Sequence, residues 1–147
     1  MTLEAVSANA YDRWALAKGL DGTNNGPAQD PDHDGLSNLL EFYLGGNPLG
    51  SSTTEFPVVS SDATYLTLTF KRDDTAEGAV NSQLAQYGSD LTGWTDAALG
   101  AVSSAPDANG VIITVVESSI APDDVTVQVS KVLSNAGKLF VRLKVSR

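Results

Sequence analysis

The sequence predicts an α+β protein. A helix–loop–helix segment over residues 1–49 forms a cap on an antiparallel β-sandwich over residues 50–147. Two observations predict it. Before residue 50 apolar residues recur at helical spacing, and from residue 64 the period becomes two. Asn, Gly, Ser and Asp clusters punctuate the second part as turns.

In the first helix Tyr11, Trp14, Ala15 and Lys18 share one face, with Ser7 or Asn9 as candidate N-caps and Gly19 as a stop. Residues 21–29 read as loop. In the second helix Leu36, Leu39, Leu40, Tyr43 and Leu44 form a broad apolar stripe with Glu41 to one side. Ser37 is its expected N-cap, Gly45-Gly46 its end, and Tyr11 and Trp14 the expected mates of the stripe. Residues 49–62 read as a Ser/Thr-rich linker with a short extended piece at Pro57-Val58-Val59.

Alternation then marks strands. Leu66, Leu68 and Phe70 form one face of the first, Val111, Ile113 and Val115 of another, and Val125, Val127 and Val129 of a third. Leu139, Val141, Leu143 and Val145 alternate with Phe140, Arg142 and Lys144 in the last. Weaker strands are expected at 79–87 and 97–103, and Asn109-Gly110 marks a hairpin turn. No helix is expected among the strands. Asp73-Asp74 and Asp123-Asp124 read as strand-end turns, and the basic residues near the C-terminus as the solvated face of the last strand.

Between the two helices lies the segment richest in chemistry, Asp30-Pro-Asp32-His-Asp34-Gly35-Leu36-Ser-Asn38-Leu-Leu-Glu41. Carboxylates occupy loop positions 1, 3, 5 and 12 and glycine position 6, the ligand pattern of an EF-hand-type calcium loop. Ca2+ takes six to eight oxygens. Asp30, Asp32 and Asp34 supply three from one curved loop, the Leu36 carbonyl a fourth, and Glu41 closes the shell. Asn38 acts directly or through water, and Asp21, Asn24 or Asn25 can lend a further oxygen. Ser37 stands where a paired EF-hand has an aliphatic residue, and no second full loop exists, so the loop is expected to work alone. His33 at position 4 is expected to face solvent.

Composition narrows the function. The 147 residues carry a net charge of −9, which disfavours nucleic acid and anionic membrane as partners. No apolar run is long enough to span a bilayer, and the N-terminus lacks the basic and apolar regions of a signal peptide. Cysteine is absent, so thiolate catalysis and disulfides have no residues to build them, and histidine occurs once, so a histidine metal cage cannot form. The protein is expected to have no catalytic activity. Trp94 and Tyr87 raise a carbohydrate-binding alternative, against the simpler expectation that Trp94 caps the core. A dockerin-like protein-binding module is the other alternative, and it requires an exposed apolar patch on the second helix.

The segment Asp30–Pro48 resembles the calcium loops of dockerin and thrombospondin type-3 repeats. Across nearly its full length the chain resembles a C-terminal module of large secreted proteins of the Verrucomicrobia–Planctomycetes group of bacteria. The resemblance is carried by Tyr11-Asp-Arg-Trp14, the acidic loop with Leu39-Leu40-Glu41, Tyr65-Leu-Thr-Leu-Thr-Phe70, Ser89-Asp90-Leu91-Thr-Gly-Trp94 and Leu139-Phe-Val-Arg-Leu143. It implies a non-catalytic, calcium-binding module attached to a larger parent protein, secreted or on the cell surface.

Overall fold

A computed structural model describes residues 9–147. Helix α1 spans Ala10–Ala17. Asn9 caps it by accepting a hydrogen bond from the Asp12 N–H at 3.0 Å, and Gly19 leaves it with φ +84°. The alternative cap, Ser7, lies outside the described residues. Helix α2 spans Asn38–Leu44, with Ser37 as its N-cap and Gly45 in the left-handed region as its stop.

Seven strands follow: β1 (Val58–Ser61), β2 (Tyr65–Arg72), β3 (Ser82–Gly88), β4 (Thr95–Ala98), β5 (Ile112–Val116), β6 (Asp123–Ser130) and β7 (Phe140–Ser146). They form two antiparallel sheets, ordered β1-β2-β6-β5 and β4-β3-β7, an arrangement compatible with a β-sandwich. Leu68 and Phe70 of β2, Val125, Val127 and Val129 of β6, and Ile113 and Val115 of β5 bury the inner face of the larger sheet. Ala85 and Tyr87 of β3, with Ala97 of β4, bury that of the smaller. β7 is an edge strand whose outward residues, Arg142 and Lys144, are charged and exposed, which blunts the edge against pairing with another chain.

Several expectations change. A one-turn helix, α3 (Asp74–Glu77), interrupts the strands, and Asp73 caps it by accepting from the Thr75 N–H. A 3₁₀ turn follows β6 at Lys131–Leu133. Asn109-Gly110 does lie in a turn, but that turn joins β5 to a single bridge at Ser104 rather than to a full strand. The stripe of α2 packs inward, yet the mate of Tyr11 and Trp14 is Phe42, which sequence spacing left out. The rings of Tyr11, Trp14 and Phe42 meet pairwise at 5.4–5.6 Å. Helix α2 is therefore buried on two sides. Its Leu44 side faces the core while its Phe42 side holds α1.

Asp123 is no solvated turn residue. It is 1% exposed and pairs with Arg72, the one fully buried basic side chain among the described residues. Arg72 donates to the Gly100 and Ala101 carbonyls at 2.7 and 3.1 Å and to Gln83, and it lies 2.7 Å from Glu77. Gln83 Oε1 also accepts from the Tyr43 hydroxyl at 2.6 Å, so the hub reaches α2. The Asp73 N–H donates to the Tyr43 carbonyl and adds a second tie between α2 and the sheets.

Candidate metal centre

The chain turns sharply through the acidic loop because His33 and Gly35 adopt positive φ, +60° and +101°. His33 is exposed, as its position suggests. The turn brings ligand atoms of Asp30, Asp32 and Asp34 within 4.8 Å of one another. Backbone amides of the loop hold the carboxylates from behind. Gly35 N–H donates to Asp30 Oδ2 at 3.0 Å, Asp34 N–H to Asp32 Oδ1 at 3.3 Å, and Leu36 N–H to Asp34 Oδ1 at 2.8 Å. The Ser52 N–H, from the segment that leads to β1, donates to Asp34 Oδ2 at 3.1 Å.

The other oxygens of Asp30 and Asp32, Oδ1 and Oδ2 respectively, are buried without a hydrogen-bond donor. Glu41, 1% exposed on the first turn of α2, leaves Oε2 in the same state. Burial pushes the Glu41 carboxyl up to about 7, and repulsion from Asp32, Asp34 and Asp30 adds to it, against a hydrogen bond from the Asn47 backbone. Burial and the neighbouring Asp34 and Asp30 also raise Asp32 despite the Asp34 N–H. For Asp30, burial pushes upward, but hydrogen bonds led by the Gly35 N–H outweigh it and hold the carboxyl low. Among the described residues no ion pair reaches any of the four. Gly46 belongs to the site as well, since a Cβ there would lie 3.0 Å from Glu41 Oε1.

Asn38 has a second task that its loop position did not suggest. It is fully buried, and its side-chain N–H groups donate to the Asn24 and Gly26 carbonyls at 2.8 and 2.9 Å, so it staples the preceding loop onto α2. Its Oδ1 has no donor. Leu36 buries its side chain in the core and holds its backbone against Asp34. The residues considered as extra oxygen donors are engaged elsewhere. Asp21 accepts from Thr23, the Asn24 side chain accepts from the Asp21 N–H, and the Asn25 carbonyl accepts from the Tyr11 hydroxyl.

The residues fit a hard cation. Oxygen is the only donor type, several oxygens are buried without a hydrogen, and backbone amides fix the carboxylates of Asp30, Asp32 and Asp34. A second acidic group, Glu77, Glu117 and Asp123, also clusters, but Arg72 fills it. Trp94 does not cap the core. It stands outside the apolar cluster, half-buried, with the Arg142 guanidinium 4.0 Å above its ring. Among the described residues no helix is long and apolar enough to cross a membrane.

Comparison with protein-family models, with curated proteins and with solved structures found no match.

Proposed function

We propose that the chain is a non-catalytic module whose loop 30–41 binds one Ca2+ as a structural clamp, and that it serves as the C-terminal part of a secreted or cell-surface bacterial protein. The observation that carries the metal reading is the set of donorless buried oxygens on Asp30, Asp32, Asn38 and Glu41. A buried polar atom left without a partner costs about 1–3 kcal/mol, more when charged, and a cation removes that cost. Asp30, Asp32, Asp34 and Glu41 supply carboxylate oxygens, Leu36 its carbonyl, and Asn38 an amide oxygen or a water contact. The secreted setting rests on the resemblance described above and on the millimolar calcium outside cells, which suits an unpaired loop.

The dockerin-like alternative is disfavoured by the burial of Tyr43 and Leu44 and the packing of the partly buried Leu39 and Leu40 against the core. Calorimetric titration of chelator-treated protein tests the metal reading. One site is expected, with Kd in roughly the micromolar to millimolar range. A flat thermogram, with Asp30→Ala and Glu41→Gln indistinguishable from the unsubstituted protein, overturns it.

A further inference from the structure

We infer that the concavity beside the β3–β4 connection is a binding site for a neutral saccharide, with the Trp94 indole as its platform. The concavity has a volume of about 460 Å³, inside the range of roughly 300–1,000 Å³ common for small-molecule sites. Its walls include Tyr87, Asp90, Trp94, Asn109 and Leu133. This inference is independent of the metal reading, because none of the loop 30–41 residues lines it.

Sugars combine two surfaces. Their ring faces carry polarised C–H groups that settle on an aromatic face, and their edges carry hydroxyls that need both acceptors and donors. The concavity offers both. Arg142 covers one side of the Trp94 indole and is not part of the concavity wall, so the indole is held from behind. Arg142 is itself fixed. Its Nε donates to Gln86 Oε1 at 2.9 Å, and Gln86 donates to Asp96 at 2.6 Å. The platform therefore rests on a chain of polar contacts across β7, β3 and β4.

The hydroxyl-binding groups are just as fixed. Asp90 Oδ1 accepts from the Gly93 N–H, the Thr92 N–H and the Thr92 hydroxyl, which leaves Oδ2 without a protein donor. Those hydrogen bonds, the Gly93 one first, hold the Asp90 carboxyl low, so it is an ionised acceptor at neutral pH. Asn109 donates to the Tyr87 hydroxyl at 2.7 Å, and among the described residues neither the Asn109 side-chain oxygen nor the Tyr87 O–H proton has a protein partner. Gly88 keeps the loop closed, since a Cβ there would lie 2.2 Å from the Gly93 carbonyl. Such preorganisation spares a ligand much of the ordering cost of binding. The charge selects the class. No Lys or Arg lines the concavity and Asp90 is anionic, so phosphate, sulfate and carboxylate ligands are repelled.

The test uses the ¹⁵N-labelled full chain with cellobiose, xylobiose, mannobiose, lactose and chitobiose, each to about 10 mM, a range that detects even millimolar affinity. The two tryptophans give separate indole N–H signals. At least one disaccharide is expected to move the Trp94 signal and leave Trp14 in place. Trp94→Ala is expected to abolish saturation transfer to that sugar. Tyr87→Phe, which keeps the buried ring and removes only the hydroxyl, is expected to weaken binding roughly three- to tenfold, and this covers the case in which Trp94→Ala fails to fold. A Trp94 signal unmoved by all five sugars overturns the inference. So does a response to tetramethylammonium chloride alone, which would make the site a cation cage, or sugar binding that survives both substitutions.

Discussion

Two regions of this protein bury charge, and they solve the problem in opposite ways. Around Arg72 the chain supplies every counter-charge itself. Asp123 and Glu77 pair with the guanidinium, and the Gly100 and Ala101 carbonyls and Gln83 accept from its terminal N–H groups, while its Nε–H is buried without an acceptor. Around Asp30, Asp32 and Asp34, with Glu41 near enough to be repelled by them, the chain supplies like charges only, and its backbone amides engage one oxygen each of Asp30 and Asp32 and both of Asp34. The first region has its charges balanced when the chain folds. On the reading proposed above, a cation from outside completes the second. The difference separates a permanent brace from a conditional one, and the three largest expected effects load one or the other.

The largest effect belongs to the brace. Arg72→Met leaves Asp123 buried without its partner and is expected to destabilise the protein by about 3–5 kcal/mol in urea unfolding, with or without calcium. A loss that calcium repairs would show that the two regions are one system. Next comes the cation itself. Calcium at a hundredfold excess over Kd is expected to raise unfolding free energy by about 2.7 kcal/mol. Hydrogen exchange should show the gain at residues 30–45 and little change at 111–145.

The third prediction concerns pH. In chelator the Glu41 carboxyl lies above its ordinary value of 4.5, at about 7. A raised carboxyl binds its proton more tightly in the folded state, so its contribution is fully present below pH 4.5. That contribution is lost as pH climbs through about 7. Asp32, also raised, works in the same direction. The lowered carboxyls Asp21, Asp30, Asp62 and Asp90 act in the opposite sense, but below their ordinary 3.8 and so outside this window. Metal-free stability is thus expected to fall between about pH 4.5 and 7, and Glu41→Gln is expected to flatten the curve while abolishing the calcium response. A curve of equal slope in the variant would remove Glu41 from the site. The smallest effect is expected at the exposed Lys71–Asp124 pair, 2.6 Å apart on the surface of neighbouring strands. Lys71→Ala should cost less than about 1 kcal/mol, and its salt dependence measures how little an open ion pair contributes.

Much of this was legible in the sequence because it follows from periodicity. Alternation at Leu66, Leu68 and Phe70 located β2, and the spacing of Asp30, Asp32, Asp34 and Gly35 located the loop. The same alternation extends to Arg72, the next inward position, but a basic residue at a strand end reads as solvated until its partners are seen. Those partners, Glu77 and Asp123, lie 5 and 51 residues away, and only the pairing of β2 with β6 brings Asp123 across. Phe42 escaped for a different reason. A single apolar stripe was assumed for α2, whereas a seven-residue helix wedged between α1 and the sheets buries two faces. The second duty of Asn38 is invisible in one dimension, because its partners are backbone carbonyls rather than side chains.

The hydrogen bond from the Ser52 N–H to Asp34 ties the segment that leads into β1 to the loop's own carboxylates. Where proteases are present, that stretch of Ser and Thr is a poorer substrate when pinned than when slack, since a protease needs an extended, detachable peptide. On the proposed reading, a cation at Asp34 would hold the carboxylate, and with it the strap, in place. The calcium level of the surroundings would then act as a clock on the module's lifetime, long where calcium is plentiful and short where it is scarce.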